Sequence, residues 1–199
     1  MGHASSGAQE PVAERPRQTV TMRSPVPTDT TFAYRLRKGT ATLAWEGGKA
    51  ALVTTELPAA EREYEGIAAL ADGAVLRLER CPAIKLTSDA PLRFGESLLP
   101  AGNVAPGYSG VYALWLRRAG DGWELVFNDE ADAWGTQHDP RFDRAVVPLE
   151  HHLVAGAQGR FAGKIDGGAS GAVLALEWGE HEWSVGFRVE APGAGGESR

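Results

Sequence analysis

The chain has 199 residues and a mass of 21.2 kDa, enough for one domain with a sizeable core and no need of disulfides. A net charge of −6 and a pI near 5.4 give no electrostatic grip on a phosphate backbone or an anionic membrane, which sets nucleic-acid binding aside. No stretch approaches the roughly 18 apolar residues of a membrane helix, so no membrane insertion is expected.

Residues 1–27 are polar and carry Pro11, Pro16, Pro25 and Pro27, the composition of a disordered leader. They lack the charged-then-apolar pattern of an export signal. Two compartments follow as alternatives: cytoplasmic, or periplasmic or cell-surface if a signal has been removed. Met1-Gly2 with Ser6 fits a myristoylation pattern formally. The Ala/Gly/Arg-rich composition points to a bacterial chain, in which that match is chance.

A single domain is expected over residues 28–190, followed by a Gly-rich disordered tail over 191–199. Its strands begin with the alternating Phe32–Leu36. Thr40–Trp45 and Lys49–Thr55 then flank a two-glycine turn at Gly47-Gly48, a hairpin pattern because glycines supply positive φ. Pro58–Ala71 reads as the one helix, with Tyr64, Ile67, Ala68 and Ala71 on one face and Asp72-Gly73 as its stop. Strands resume at Ala74–Leu78, Ala83–Thr87 and Leu92–Phe94. Val111–Arg117 is apolar on both faces and so central. Asp121-Gly122 turns it into Trp123–Asn128. Arg144–Val154, Phe161–Ile165, Ala172–Trp178 and Glu182–Val189 complete the series. Many short strands with one short helix predict an all-β protein, an antiparallel β-sandwich of jelly-roll type. No βαβ alternation or phosphate-cradling glycine motif is present.

Ordered motifs over residues 98–178 carry a family resemblance. They are Leu99-Pro100-Ala101-Gly102, Gly110-Val111-Tyr112-Ala113-Leu114, Trp123–Asn128, Trp134-Gly135-Thr136, Asp139, Asp143-Arg144 and Glu177-Trp178. In this order they resemble the bacterial family called domain of unknown function 2911. The resemblance implies a fold and no reaction. Upstream the chain diverges. Where the family carries Trp-Arg-x-Gly-Ala-Asn-Glu, this sequence has Leu76–Pro82, and only Arg77 matches. Asn103–Ser109 is an insertion within the Pro-Ala-Gly-x-Tyr loop.

Chemistry-bearing residues concentrate in the Asn128–Asp143 loop. Asp129, Glu130, Asp132, Asp139 and Asp143 are hard oxygen donors of the kind calcium takes, without the spacing of an EF-hand loop. As a bland alternative, such side chains cap turns and bond their own backbone. His138, with Asp139 or Asp143 and one of His151 and His152, could supply zinc ligands. Neighbouring residues of a strand face opposite ways, however, so only one of that His pair can join. His181 stands in a separate turn, and the simplest account of all these histidines is surface exposure. Ser109 lacks the Gly-x-Ser-x-Gly elbow, and Cys81 beside Pro82 reads as a packed thiol. Six tryptophans mostly fill a core; Trp134, in a polar loop, is the one expected to be partly exposed.

The leading expectation is therefore a non-catalytic binding or interaction module without a cofactor. Its partner would be a small molecule, glycan or protein, and its site Arg77, Asn128, Trp134, His138, Asp139, Asp143 and Arg144. The alternative is a metal-assisted hydrolase built on His138, Asp139 and Asp143.

Overall fold

A computed structural model describes residues 37–60, 62–105, 107–155 and 159–190. The chain divides into two compact units, Met1–Tyr34 and Arg35–Arg199, of which the first lies outside the described residues. So do the expected leader, the expected strand Phe32–Leu36 and the expected tail.

The described residues are all-β, with antiparallel pairing throughout and one short helix. The strands are β1 (Lys38–Trp45), β2 (Gly48–Thr55), β3 (Ile84–Ser88), β4 (Leu92–Phe94), β5 (Ser97–Leu99) and β6 (Gly110–Ala119). After them come β7 (Gly122–Asn128), β8 (Asp143–Leu153), β9 (Ala162–Gly168), β10 (Gly171–Trp178) and β11 (His181–Val189). They pair in the order β1-β2-β3-β6-β7-β8-β11-β10-β9, and the short β4–β5 hairpin joins through β11. The hairpins turn on glycines with positive φ: Gly47 at 87°, Gly120 at 55° and Gly179 at 57°. Only glycine occupies that region without steric cost.

Two features make this one nearly barrel-shaped sheet rather than two separate layers. β8 changes partner along its length: Asp143–Leu149 pairs with β7, and Glu150–Leu153 with β11. At the β9 end of the path, the chain entering β9 meets the chain leaving β2, the strand paired with β1 at the other end. Phe161 N–H donates to Leu57 O at 2.7 Å and Ala59 N–H to Gly159 O at 2.6 Å. Within β9 the backbone then runs against the side chains of β2. A Cβ placed on Gly163 would stand 2.6 Å from Leu52 Cδ2.

The core is aromatic-rich, with Phe94, Tyr112, Phe127, Phe161, Trp178 and Trp183 fully buried. Their rings meet edge-on or tilted, as Phe94 does Phe127 at 4.8 Å and Phe161 does Trp178 at 5.5 Å. β6 is central, as its pattern predicts. Tyr112, Leu114 and Leu116 face this core, while Ala113 and Trp115 form a second buried cluster with Ala83 and Val126.

The helix is far shorter than the Pro58–Ala71 expected from periodicity. It is confined to α1 (Arg62–Glu65), after which the chain continues in tighter turns, with Ile67 N–H bonding Tyr64 O and Leu70 N–H bonding Ile67 O. Gly66 weakens a helix at that point. The packing also selects Glu63 and Ile67 for burial and leaves Ala68 and Ala71 exposed. Ala74–Leu78 is likewise no strand. It touches β6 through one isolated bridge, Val75 to Arg117, and through Leu76 N–H to Leu116 O.

The closeness at Gly163 gives a direct test. Gly163→Val should lower stability by about 1–3 kcal/mol through overpacking against Leu52. Gly168→Ala on the same strand, where an added Cβ meets nothing within 4 Å, should leave the urea midpoint almost unchanged.

Candidate functional site

The loop from Asn128 to Asp143 folds back on itself around one amide. Asn128 closes β7, 1% exposed. Its Nδ2 donates to Asp139 O at 2.9 Å and to Asp143 Oδ1 at 2.8 Å, and its Oδ1 accepts from Glu130 N–H at 2.9 Å. Asp143 Oδ1 also lies 2.8 Å from His138 Nε2, and the His138 ring packs on Trp115 at 5.2 Å. Thus Asn128, His138 and Asp143 do converge, and His138 is largely buried rather than on the surface.

The other predicted residues are engaged elsewhere. Asp139 caps the 3-10 turn Pro140–Phe142 through Arg141 N–H and binds the Arg141 guanidinium. Those bonds hold its carboxyl down at about 2. Arg144 donates to Asp129 Oδ2 through Nε at 3.0 Å and Nη2 at 2.8 Å, and Asn103 of the inserted loop reaches Asp129 Oδ1 at 3.1 Å. Asp132 binds Lys85 at 2.7 Å, which lowers its pKa. The loop's aspartates therefore spread over separate protein partners. Among the described residues, no three His, Cys, Asp or Glu side chains are grouped to hold a metal ion.

Beyond its own ends, the loop holds the Leu76–Pro82 segment. Trp134 is 42% exposed, yet its indole N–H donates to Glu79 O at 3.0 Å. Gly135 N–H donates to Cys81 O and Leu78 N–H to Gly135 O, both at 2.8 Å. Here glycine is required by space: a Cβ on Gly135 would lie 2.7 Å from Cys81 O and closer still to Leu78 O. Cys81 is fully buried, and burial pushes its thiol upward, away from the thiolate a nucleophile needs.

Arg77 lies on that held segment and makes no hydrogen bond or ion pair to the Asn128–Asp143 side chains. It instead lines a cavity of about 380 Å³ between the α1 region and residues 74–79. Leu70, Val75 and Leu76 supply apolar wall; Arg62, Glu63, Arg77 and Glu79 supply charge. Glu63 is unusual. Its side chain is 6% exposed, its Oε1 has no hydrogen-bond partner, and Arg80 Nε stands 3.9 Å away. Sequence reading missed Glu63 because helical position alone does not mark a buried carboxyl.

A second cluster was also missed. His151 Nε2 lies 2.9 Å from His181 Nδ1, joining β8 to the start of β11. Both rings stack on Trp183, at 5.5 and 5.3 Å. His151 faces Trp183 across the β8–β11 ladder, with His181 one diagonal step away. The simple surface account of these two histidines is thus corrected: both are partly buried. Burial lowers both pKa values. For His151 the neighbouring His181, Arg118 and His152 lower it further; for His181, Glu180 opposes the shift.

The model of the family described as "Protein of unknown function (DUF2911)" matches residues 83–187. No curated protein and no solved structure matches the chain.

Two outcomes follow from this geometry. Asn128→Ala leaves buried polar groups at both ends of its loop unpaired, which should cost about 1–3 kcal/mol, read as a lowered urea midpoint. The histidine pair makes stability depend on pH. Both folded-state pKa values lie below the ordinary 6.5, so the unfolded chain takes up protons first. The contribution is therefore full above about pH 6.5 and drains away as pH falls through the folded values. His181→Phe, which keeps a ring against Trp183, should flatten the melting-temperature profile between about pH 7.5 and pH 5. An unchanged slope would show that the pair contributes nothing.

Proposed function

The chain belongs to the DUF2911 family, and from that premise we propose that it is a non-catalytic binding module for a small molecule. Its ligand enters the cavity between the α1 region and Val75–Glu79. One observation carries this reading: the cavity combines apolar wall from Leu70, Val75 and Leu76 with the charged side chains of Arg62, Glu63, Arg77 and Glu79. The volume of about 380 Å³ is in the range of small-molecule sites.

In this reading the polar residues foreseen from sequence divide into two roles. Arg77 belongs to the ligand site. Asn128, Trp134, His138, Asp139, Asp143 and Arg144 build the loop that fixes the cavity's outer wall. A hydrolase built on His138, Asp139 and Asp143 has less support. Only His138 and Asp143 are paired, while Asp139 is bound to Arg141. Calcium or zinc in this loop would have to displace ion pairs and hydrogen bonds already formed.

A thermal-shift screen of small metabolites tests the reading. A ligand held at a hundredfold excess over its Kd adds about 2.7 kcal/mol. For a domain of this size that raises the melting temperature by roughly 5–10 °C. Compounds that stabilise the wild type should have no effect on Ala74→Phe, which fills the cavity from its wall. Hits that shift both proteins alike, or no hits from a broad library, would count against the cavity.

A further inference from the structure

The geometry of the histidine pair limits how many protons it can hold. Ring centroids 5.2 Å apart bring His151 Nε2 within 2.9 Å of His181 Nδ1 only if both nitrogens lie on the line between the centroids. With 17° between their planes, the two rings lie almost in one plane, which stacks on Trp183 at 22° and 11°. This is the in-line arrangement of an N–H···N hydrogen bond, one ring donating and the other accepting. Either direction places a single proton between the facing nitrogens. A protonated histidine donates from both nitrogens, so two protonated rings would set two N–H groups head-on. The bond does not survive double protonation.

That bond stands where the sheet has little else to hold it. β8 leaves β7 after Leu149 and pairs with β11 from Glu150 to Leu153, and Val154 N–H then donates to Glu180 O at 2.7 Å. Of Glu150–Val154, four residues are exposed. His151 alone is tucked inward, against Trp183 and, at 5.9 Å, Trp123. We propose that the His151–His181 pair is an acid-released latch: when both rings are protonated, Glu150–Val154 comes away from β11 while the rest of the sheet stays folded. The groups around the pair set the direction. Burial opposes charge on His151, as do His181, Arg118 of β6 and the adjoining His152. Burial also opposes charge on His181, and Glu180 in the turn before β11 only partly offsets it. Tyr64 of α1 packs edge-on against His181 at 5.7 Å. Glu150 and Glu182 lie about His152, the first 4.0 Å from its Nε2 and the second across the ladder from it. Both rings therefore bind protons more weakly latched than free, and acid favours release.

Hydrogen exchange of the full chain between about pH 7.5 and pH 5, corrected for the intrinsic exchange rate, reads the latch directly. Protection over residues 150–154 should fall roughly tenfold per pH unit just below the ordinary histidine value of about 6.5, while β6 and β7 keep theirs. His151→Phe keeps a ring against Trp183 and removes the titrating group, so protection there should no longer change with pH. His152→Ala, which alters only the exposed neighbour, should respond as the wild type does. Should His151→Phe not fold, ring-nitrogen NMR of the wild type decides. At about pH 7.5 the facing nitrogens should show one donor and one acceptor, and their conversion to two donors should coincide with the loss of protection. Loss spread evenly over all strands would mean global acid unfolding and overturn the latch. So would protection over 150–154 that is insensitive to pH, equally pH-sensitive in His151→Phe, pH-insensitive in His152→Ala, or lost out of step with the second proton.

Discussion

The Asn128 amide is the constraint on which the rest of this structure depends. A polar group that is 1% exposed must be paired, and the three bonds of Asn128 reach Glu130, Asp139 and Asp143. They gather the start and end of a loop that would otherwise be free to move. They also sit where the β7–β8 register shifts, between Phe127 and Asn128. The loop so fixed covers the outer face of β6 and β7, where Ala113, Trp115 and Val126 lie buried. That is why β6 is apolar on both faces although only one faces the main core.

The residues that mark the family are best understood through the same constraint. Gly135 is there because backbone carbonyls of Leu78 and Cys81 leave no room for a side chain. Gly110 is pressed in the same manner, a Cβ there falling 2.7 Å from Pro100 O. Tyr112 sends its hydroxyl to that same carbonyl at 2.6 Å, and burial raises its pKa well above the usual phenol range. These positions are explained by packing and hydrogen bonding inside the domain. A motif of this kind identifies a fold, and it is weak evidence for a reaction.

Local chemistry made much of the fold legible in the sequence. The first hairpin shows itself through Gly47, a glycine needed for positive φ, and β6 through its two apolar faces, while the turn expected at Asp121-Gly122 takes its positive φ at Gly120 instead. What failed was whatever depends on distant partners. Periodicity over Pro58–Ala71 gives a long helix, but tertiary packing buries Glu63 and Ile67 and stops it after one turn. His151 and His181 are 30 residues apart and meet only through the β8–β11 register. Arg77, singled out in the sequence as the one match to the family in its segment, lines the cavity on the side of that segment away from the Asn128–Asp143 loop's hydrogen bonds.

The position of the cavity then follows from topology. The strand path from β1 to β9 nearly closes, and its interior is filled by buried side chains. Between β2 and β3 the chain leaves that path, crossing from Glu56 to Ala83 with, among the described residues, one helical turn and isolated bridges. Such a segment needs outside support for its backbone groups. β6 supplies it at Ala74 and Leu76, and the Asn128–Asp143 loop at Leu78 and Cys81. Between these supports, residues 74–79 span as a wall with the α1 region opposite. Held from behind, this wall presents Arg77 and Glu79 to the cavity, while Glu63 on the α1 side is buried with the Arg80 guanidinium 3.9 Å from its Oε1. The loop and the cavity are thus two parts of one arrangement: the loop's backbone groups hold the segment from behind, and the segment's charged side chains line the cavity in front.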